Sequence, residues 1–182
     1  MILFWLYVLA TLDGAFCGNR SAAGRSGLIN KRRYYFWAMT RGALWSQVAA
    51  LVAASALFFV WKYSPDRTAL LADLQSAAHR MLLVFIPYTI IVLASFMVRA
   101  LPSVDLRSAT SVLVFGPMTA LRPLVSIGGV LYGIIPAHRW DVRLLGLLVL
   151  SLMLGVEQLI DYLAEKQAKT QFFLWAPAIR DH

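Results

Sequence analysis

Residues 12–42 read LDGAFCGNRSAAGRSGLINKRRYYFWAMTRG. An aspartate, Asp13, sits inside an apolar segment; a connector dotted with Gly, Ser and Ala follows. The stretch then reaches the basic-aromatic run Lys31-Arg32-Arg33-Tyr34-Tyr35-Phe36-Trp37. Lys and Arg beside an apolar segment mark the cytoplasmic edge of a transmembrane helix, and Tyr and Trp seat at headgroup level. Clustered basic side chains attract anionic lipid at about 1 kcal/mol each near the surface. Lys31, Arg32, Arg33, Tyr34, Tyr35 and Trp37 are therefore the candidate headgroup anchors.

Composition agrees with that reading. Of the 182 residues, 60% are hydrophobic and 14% charged, and the mean hydropathy is +0.67. Soluble domains are nearer half apolar and a quarter charged. The excess lies in runs of about twenty residues, enough to cross ~30 Å of hydrocarbon as helix. A soluble core of this size would need far more polar sequence to wrap it. The expected fold is all-α: a polytopic helical membrane bundle forming one domain over residues 1–182.

The formal net charge of +8 would suggest nucleic acid as a partner of a soluble protein. Here the basic residues gather in loops, so no nucleic-acid partner is expected. The single cysteine, Cys17, excludes an intrachain disulfide. Because no basic residue precedes the first apolar run and Asp13 follows it, that run is expected to be retained as a helix.

Five segments follow in order. The first covers residues 2–18, with Gly14 and Gly18 as a small-xxx-small pair that lets another helix approach closely. It is short, and if it lies in the interface, four spans remain. Residues 19–33 read as a basic Gly/Ser/Ala cytoplasmic connector. The second segment, 41–61, carries Ala49/Ala53 and Ala50/Ala54 at i, i+4 spacing. Residues 64–79 read as a polar linker whose Leu70, Leu71 and Leu74 fit a short amphipathic surface helix. The third segment, 81–101, contains Pro87, and a loop at 102–107 follows it. The fourth, 108–135, is interrupted by Gly116-Pro117 and Arg122-Pro123, so a helix kinked or broken near Pro117/Pro123 is expected, or else a re-entrant hairpin and a short helix. After a loop at 136–141, the fifth segment, 142–163, ends in Glu157, Asp161 and Glu165 on one face. A cytoplasmic tail, 166–182, carries the interfacial run Phe172-Phe173-Leu174-Trp175.

Loop charges set the orientation. Arg20, Arg25, Lys31, Arg32, Arg33, Arg41, Arg99, Arg107, Lys166, Lys169 and Arg180 fall on one side; Lys62, Arg67, Arg80, Arg139 and Arg143 fall on the other. Basic loops stay in the cytoplasm, so about five spans in a cell membrane are expected, with the N-terminus outside and the C-terminus inside.

Within the spans lie Asp13, Arg122 and Glu157, with Arg41 and Gln47 toward the cytoplasmic end of the second segment. A charge at mid-membrane costs ~2.5–3.5 kcal/mol on insertion scales. These groups should face the bundle interior, with Arg122 paired to Glu157 or Asp13, as a structural ion pair or as an ion or proton relay. No metal site is expected: His79, His138 and His182 have no partner at i+3 or i+4. Asp13-Gly14 does not continue into the Ala-Arg and further acids of a two-metal lipid-headgroup transferase site; the next acid is Asp66. Without a phosphate loop or a nucleophile triad, no catalytic residue and no cofactor is assigned. The sequence points to a subunit or accessory factor of a membrane assembly. Its expected partners are anionic lipid and a protein partner or second copy of the chain. The alternative is a small ion- or proton-coupled transporter or channel-like protein.

Overall fold

Five helices account for the computed structural model, which describes residues 2–23, 31–99 and 116–170. They are α1 (Ile2–Ala23), α2 (Lys31–Tyr63), α3 (Arg67–Arg99), α4 (Gly116–Ile134) and α5 (Trp140–Thr170). No strand occurs among the described residues. Three helices contain stretches long and apolar enough to cross a membrane: Phe36–Tyr63, Arg67–Ala94 and Trp140–Leu163. The apolar parts of α1 and α4 are shorter, Phe4–Gly18 and Leu121–Ile134. By helix length and composition this is a membrane-embedded helical bundle.

Hydroxyl residues are accommodated in these apolar helices by bonding back to their own backbone. Thr11 donates to the carbonyl of Tyr7 at 2.9 Å, Ser55 to Leu51 at 2.8 Å, Thr89 to Phe85 at 2.8 Å and Ser151 to Leu147 at 2.9 Å. A hydroxyl used in this way asks nothing of the lipid.

α1 and α2 run antiparallel and touch backbone to backbone. A Cβ on Gly42 would overlap the carbonyl oxygen of Gly14; one on Gly18 would overlap that of Ala38. Gly14 also receives the side chain of Ser46. Two ladders of small residues thus interlock, Gly14/Gly18 on α1 and Ala38/Gly42/Ser46 on α2. α1 also contacts α3 and α5, so it belongs to the bundle interior rather than lying apart from it. On α3 and α4 the same device recurs at lower severity, with Gly129 facing Phe85 and Gly133 facing Met81 and Ala77.

The segment boundaries differ from the sequence reading in three places. Residues 19–23 continue α1 and residues 31–33 already belong to α2, because Ala, Lys and Arg favour helix over loop. The polar linker shrinks to residues 64–66. α3 starts at Arg67 and runs unbroken into the span, so Leu70 is a buried core residue packed with Ala77, Ala137 and Val142. Nothing between Arg67 and Pro87 obliges the helix to stop. α5 extends through residues 166–170. α4 opens on Gly116-Pro117, where a missing N–H is harmless, and carries Pro123 inside it. The loop at 102–107, the start of the fourth segment at 108 and the Phe172–Trp175 run lie outside the described residues.

At one end of the bundle the α2–α3 and α4–α5 turns are tied together. Arg139 donates to Ser64 Oγ at 3.0 Å, to the Asp66 carbonyl at 3.2 Å and to Asp141 Oδ2 at 2.6 Å. Asp73 on α3 accepts the backbone N–H groups of His138 and Arg139, at 3.3 and 2.9 Å. Arg80 donates twice to the carbonyl of Gly133, at 3.2 and 3.0 Å. It thereby satisfies one of the carbonyls that the end of α4 leaves without a helical partner.

Asp66 caps α3: its Oδ1 accepts the N–H of Ala69 at 2.9 Å and the hydroxyl of Thr68 at 2.8 Å. Those bonds, the Ala69 N–H foremost, hold its carboxyl below the usual 3.8. A depressed folded value means the cap contributes fully above 3.8 and is lost as pH falls through the lower folded value. Asp66→Ala is expected to lower the thermal midpoint of the detergent-solubilised protein at neutral pH, and asparagine to restore most of it. The difference between aspartate and alanine should shrink in acid.

Candidate functional site

Gly14 fixes where Asp13 points. Successive residues on a helix are about 100° apart, so with Gly14 seated on α2 the Asp13 side chain turns toward α3 and α4. There it meets Arg122 in a two-bonded fork: Nε donates to Asp13 Oδ1 at 3.0 Å and Nη2 to Oδ2 at 2.5 Å. The third arm of the guanidinium, Nη1, donates to Glu157 Oε2 on α5. Tyr88 on α3 adds its hydroxyl to Asp13 Oδ1 at 3.3 Å. Its ring meets Phe16 edge-on, with centroids 6.4 Å apart. Four of the five helices thus contribute to one cluster, in which α1 and α5 meet the guanidinium of α4 and α3 reaches it through Asp13.

The cluster is deeply enclosed. The Arg122 side chain is 1% exposed, against 13% for Asp13 and 6% for Glu157. Planar two-point pairing of this kind is the strongest arrangement available to an arginine and a carboxylate, and a low-dielectric setting magnifies it. Arginine remains protonated in proteins and has no acceptor, so Arg122 can neither take nor pass a proton. Its chemistry is to hold two acids, and through them α1 and α5, against α4.

Beside the cluster runs a cavity of about 390 Å³ lined by residues of all five helices. Its walls are mostly Ala, Leu, Val and Met. Asp13, Tyr88 and Ser46 border it, whereas Arg122 and Glu157 do not.

The remaining candidates are all on α2. Gln47 belongs to the α1–α2 seam, where Nε2 donates to Thr11 Oγ1 at 2.6 Å and Oε1 accepts from Tyr7. Arg41 is half-buried on α2 next to Gly42. The basic-aromatic run forms the first turns of α2; Phe36 and Trp37 are exposed, and the side chains of Lys31, Arg32, Arg33, Tyr34 and Tyr35 lie outside the described residues. Among the described residues no three His, Cys, Asp or Glu side chains are grouped to hold a metal.

Sequence reasoning missed Tyr88 because an aromatic residue inside a span reads as core. It missed Asp73 and Arg139 because polar residues near turns read as solvated. Gly42 had a usable signal: Ala38, Gly42 and Ser46 repeat at the same four-residue spacing as Gly14 and Gly18. Comparison with family models, with curated proteins and with solved structures gives no match to this chain.

Proposed function

We propose that this chain is a multi-pass integral membrane protein of the cell membrane that serves as a subunit or accessory factor of a membrane assembly. The N-terminus lies outside and the C-terminus in the cytoplasm, as the distribution of loop Lys and Arg favours. Its partners are anionic lipid headgroups and a second protein or a second copy of the chain. The supporting observation is that both acids bond Arg122 while the space beside them is apolar. An ion or proton path calls for a file of polar groups or water across the bundle. The contribution of Asp13, Arg122 and Glu157 is then to set which helices meet.

The alternative, a small ion- or proton-coupled transporter, draws support from Asp13 alone, which borders the cavity. Two measurements separate the readings. Full-length tagged protein extracted in mild detergent is expected to carry a stoichiometric partner or run as a defined homo-oligomer. In proteoliposomes it is expected to pass no protons or monovalent cations. Glu157→Gln should lower stability by about 1–3 kcal/mol, the cost of weakening a buried charged bond, and alter no flux. A monomer whose ion flux disappears in Glu157→Gln while folding is retained would establish the transporter instead.

A further inference from the structure

We propose that the cavity is a binding slot for a single-chain amphiphile: one unbranched hydrocarbon tail with a neutral hydroxyl head. The slot is long and thin. About 390 Å³ is spread along α5 from Val142 to Val156, roughly 21 Å at 1.5 Å per residue. A protein helix is ~10–12 Å across with its side chains and would need several times that volume. Water gains little there, since it needs two or more polar partners and the walls are apolar. The volume itself lies within the range of small-molecule sites, about 300–1,000 Å³.

Access and polarity assign the occupant. α2 and α3 are joined by a three-residue turn but scarcely touch along their lengths. The alanines of α2, Ala49, Ala50 and Ala53, leave the space open on that side. The slot therefore faces the lipid between two spans. The polar side chains of its lining are Tyr7, Asp13, Ser46, Tyr88 and Thr89, of which Asp13, Tyr88 and Ser46 mark its inner end. Ser46 is 7% exposed and borders the slot where its Oγ packs against Gly14, so a hydroxyl of the α1–α2 seam lies at the edge of the space. The Tyr88 hydroxyl already donates to Asp13. A head entering here can donate to the Asp13 carboxylate and accept from Ser46. A hydroxyl does both. A carboxylate or phosphate head would meet Asp13 as a like charge.

The test uses the full-length protein in phosphatidylcholine vesicles and a long-chain alkyl alcohol carrying a photoreactive diazirine on its tail. Labelling is expected on the slot side of α2 and α5, at Ala50, Ala53, Val149 and Met153. Unlabelled hexadecanol should compete at least about tenfold better than hexadecane or palmitate, a difference of about 1.4 kcal/mol. Ala50→Phe, which fills the slot, should abolish labelling; Leu51→Phe, on the exposed face of α2, should leave it intact. If Ala50→Phe fails to fold, Ser46→Ala decides. It removes only a hydroxyl and should erase the preference for hexadecanol over hexadecane. Labelling spread over the lipid-facing residues, or equal competition by alcohol and alkane, overturns the proposal.

Discussion

Arg122→Leu is expected to destabilise the bundle by about 3–5 kcal/mol, the usual consequence of removing one partner from a buried charge cluster. The variant leaves Asp13 and Glu157 across an apolar gap without the guanidinium that both bond. It also releases α1 and α5 from α4, and the Asp13 fork is lost along with the Glu157 bond. Equilibrium unfolding in mixed micelles measures the loss. The informative comparison is the triple variant Asp13→Asn, Arg122→Met, Glu157→Gln, which removes the charges together. It should recover most of the stability, since replacing a whole buried ion cluster by uncharged groups is often neutral or better. If Arg122→Leu alone is neutral, the cluster does not hold the helices.

The second large effect is at the α1–α2 crossing. Gly42→Ala and Gly18→Ala each push a methyl into a carbonyl oxygen of the facing helix, and neither backbone can yield without separating the pair. A loss of about 2–3 kcal/mol is expected for either, at the upper end for overpacking. Gly128→Ala and Gly155→Ala are the controls. Their added methyls meet nothing, and relief from glycine's flexibility in a helix interior should make them neutral or up to about 1 kcal/mol stabilising. The opposite signs of one substitution at four glycines separate a packing effect from a propensity effect.

Much of the fold is legible in the sequence because bilayer thickness is a strict ruler: apolar runs of span length with aromatic ends can do little else than form helices. Boundaries are harder to read. Residues 19–23, 31–33 and 67–79 read as polar connectors because their composition is polar, but helix propagation depends on backbone geometry and on breakers. Leu70 shows the difference: it looks like the apolar stripe of a surface helix and is in fact buried under Ala137. The charge cluster is legible in part. The cost of an unpaired ion in hydrocarbon requires Asp13, Arg122 and Glu157 to turn inward. Which acid Arg122 meets does not follow, since position along an axis leaves rotation about it open. The guanidinium has enough N–H groups to engage both. The slot was illegible, because it arises from the divergence of two helices and no local pattern encodes that.

The lashing of the two turns by Arg139 and Asp73 has a practical corollary for anyone wishing to tag the protein. A short epitope inserted between Ala137 and His138 would pull both backbone amides off Asp73 and swing Arg139 away from Ser64 and Asp66, so the rim on that side would come apart even though it looks like an ordinary surface loop. His138 and Arg139 should exchange their amide hydrogens more slowly than ordinary turn residues, because Asp73 accepts both N–H groups.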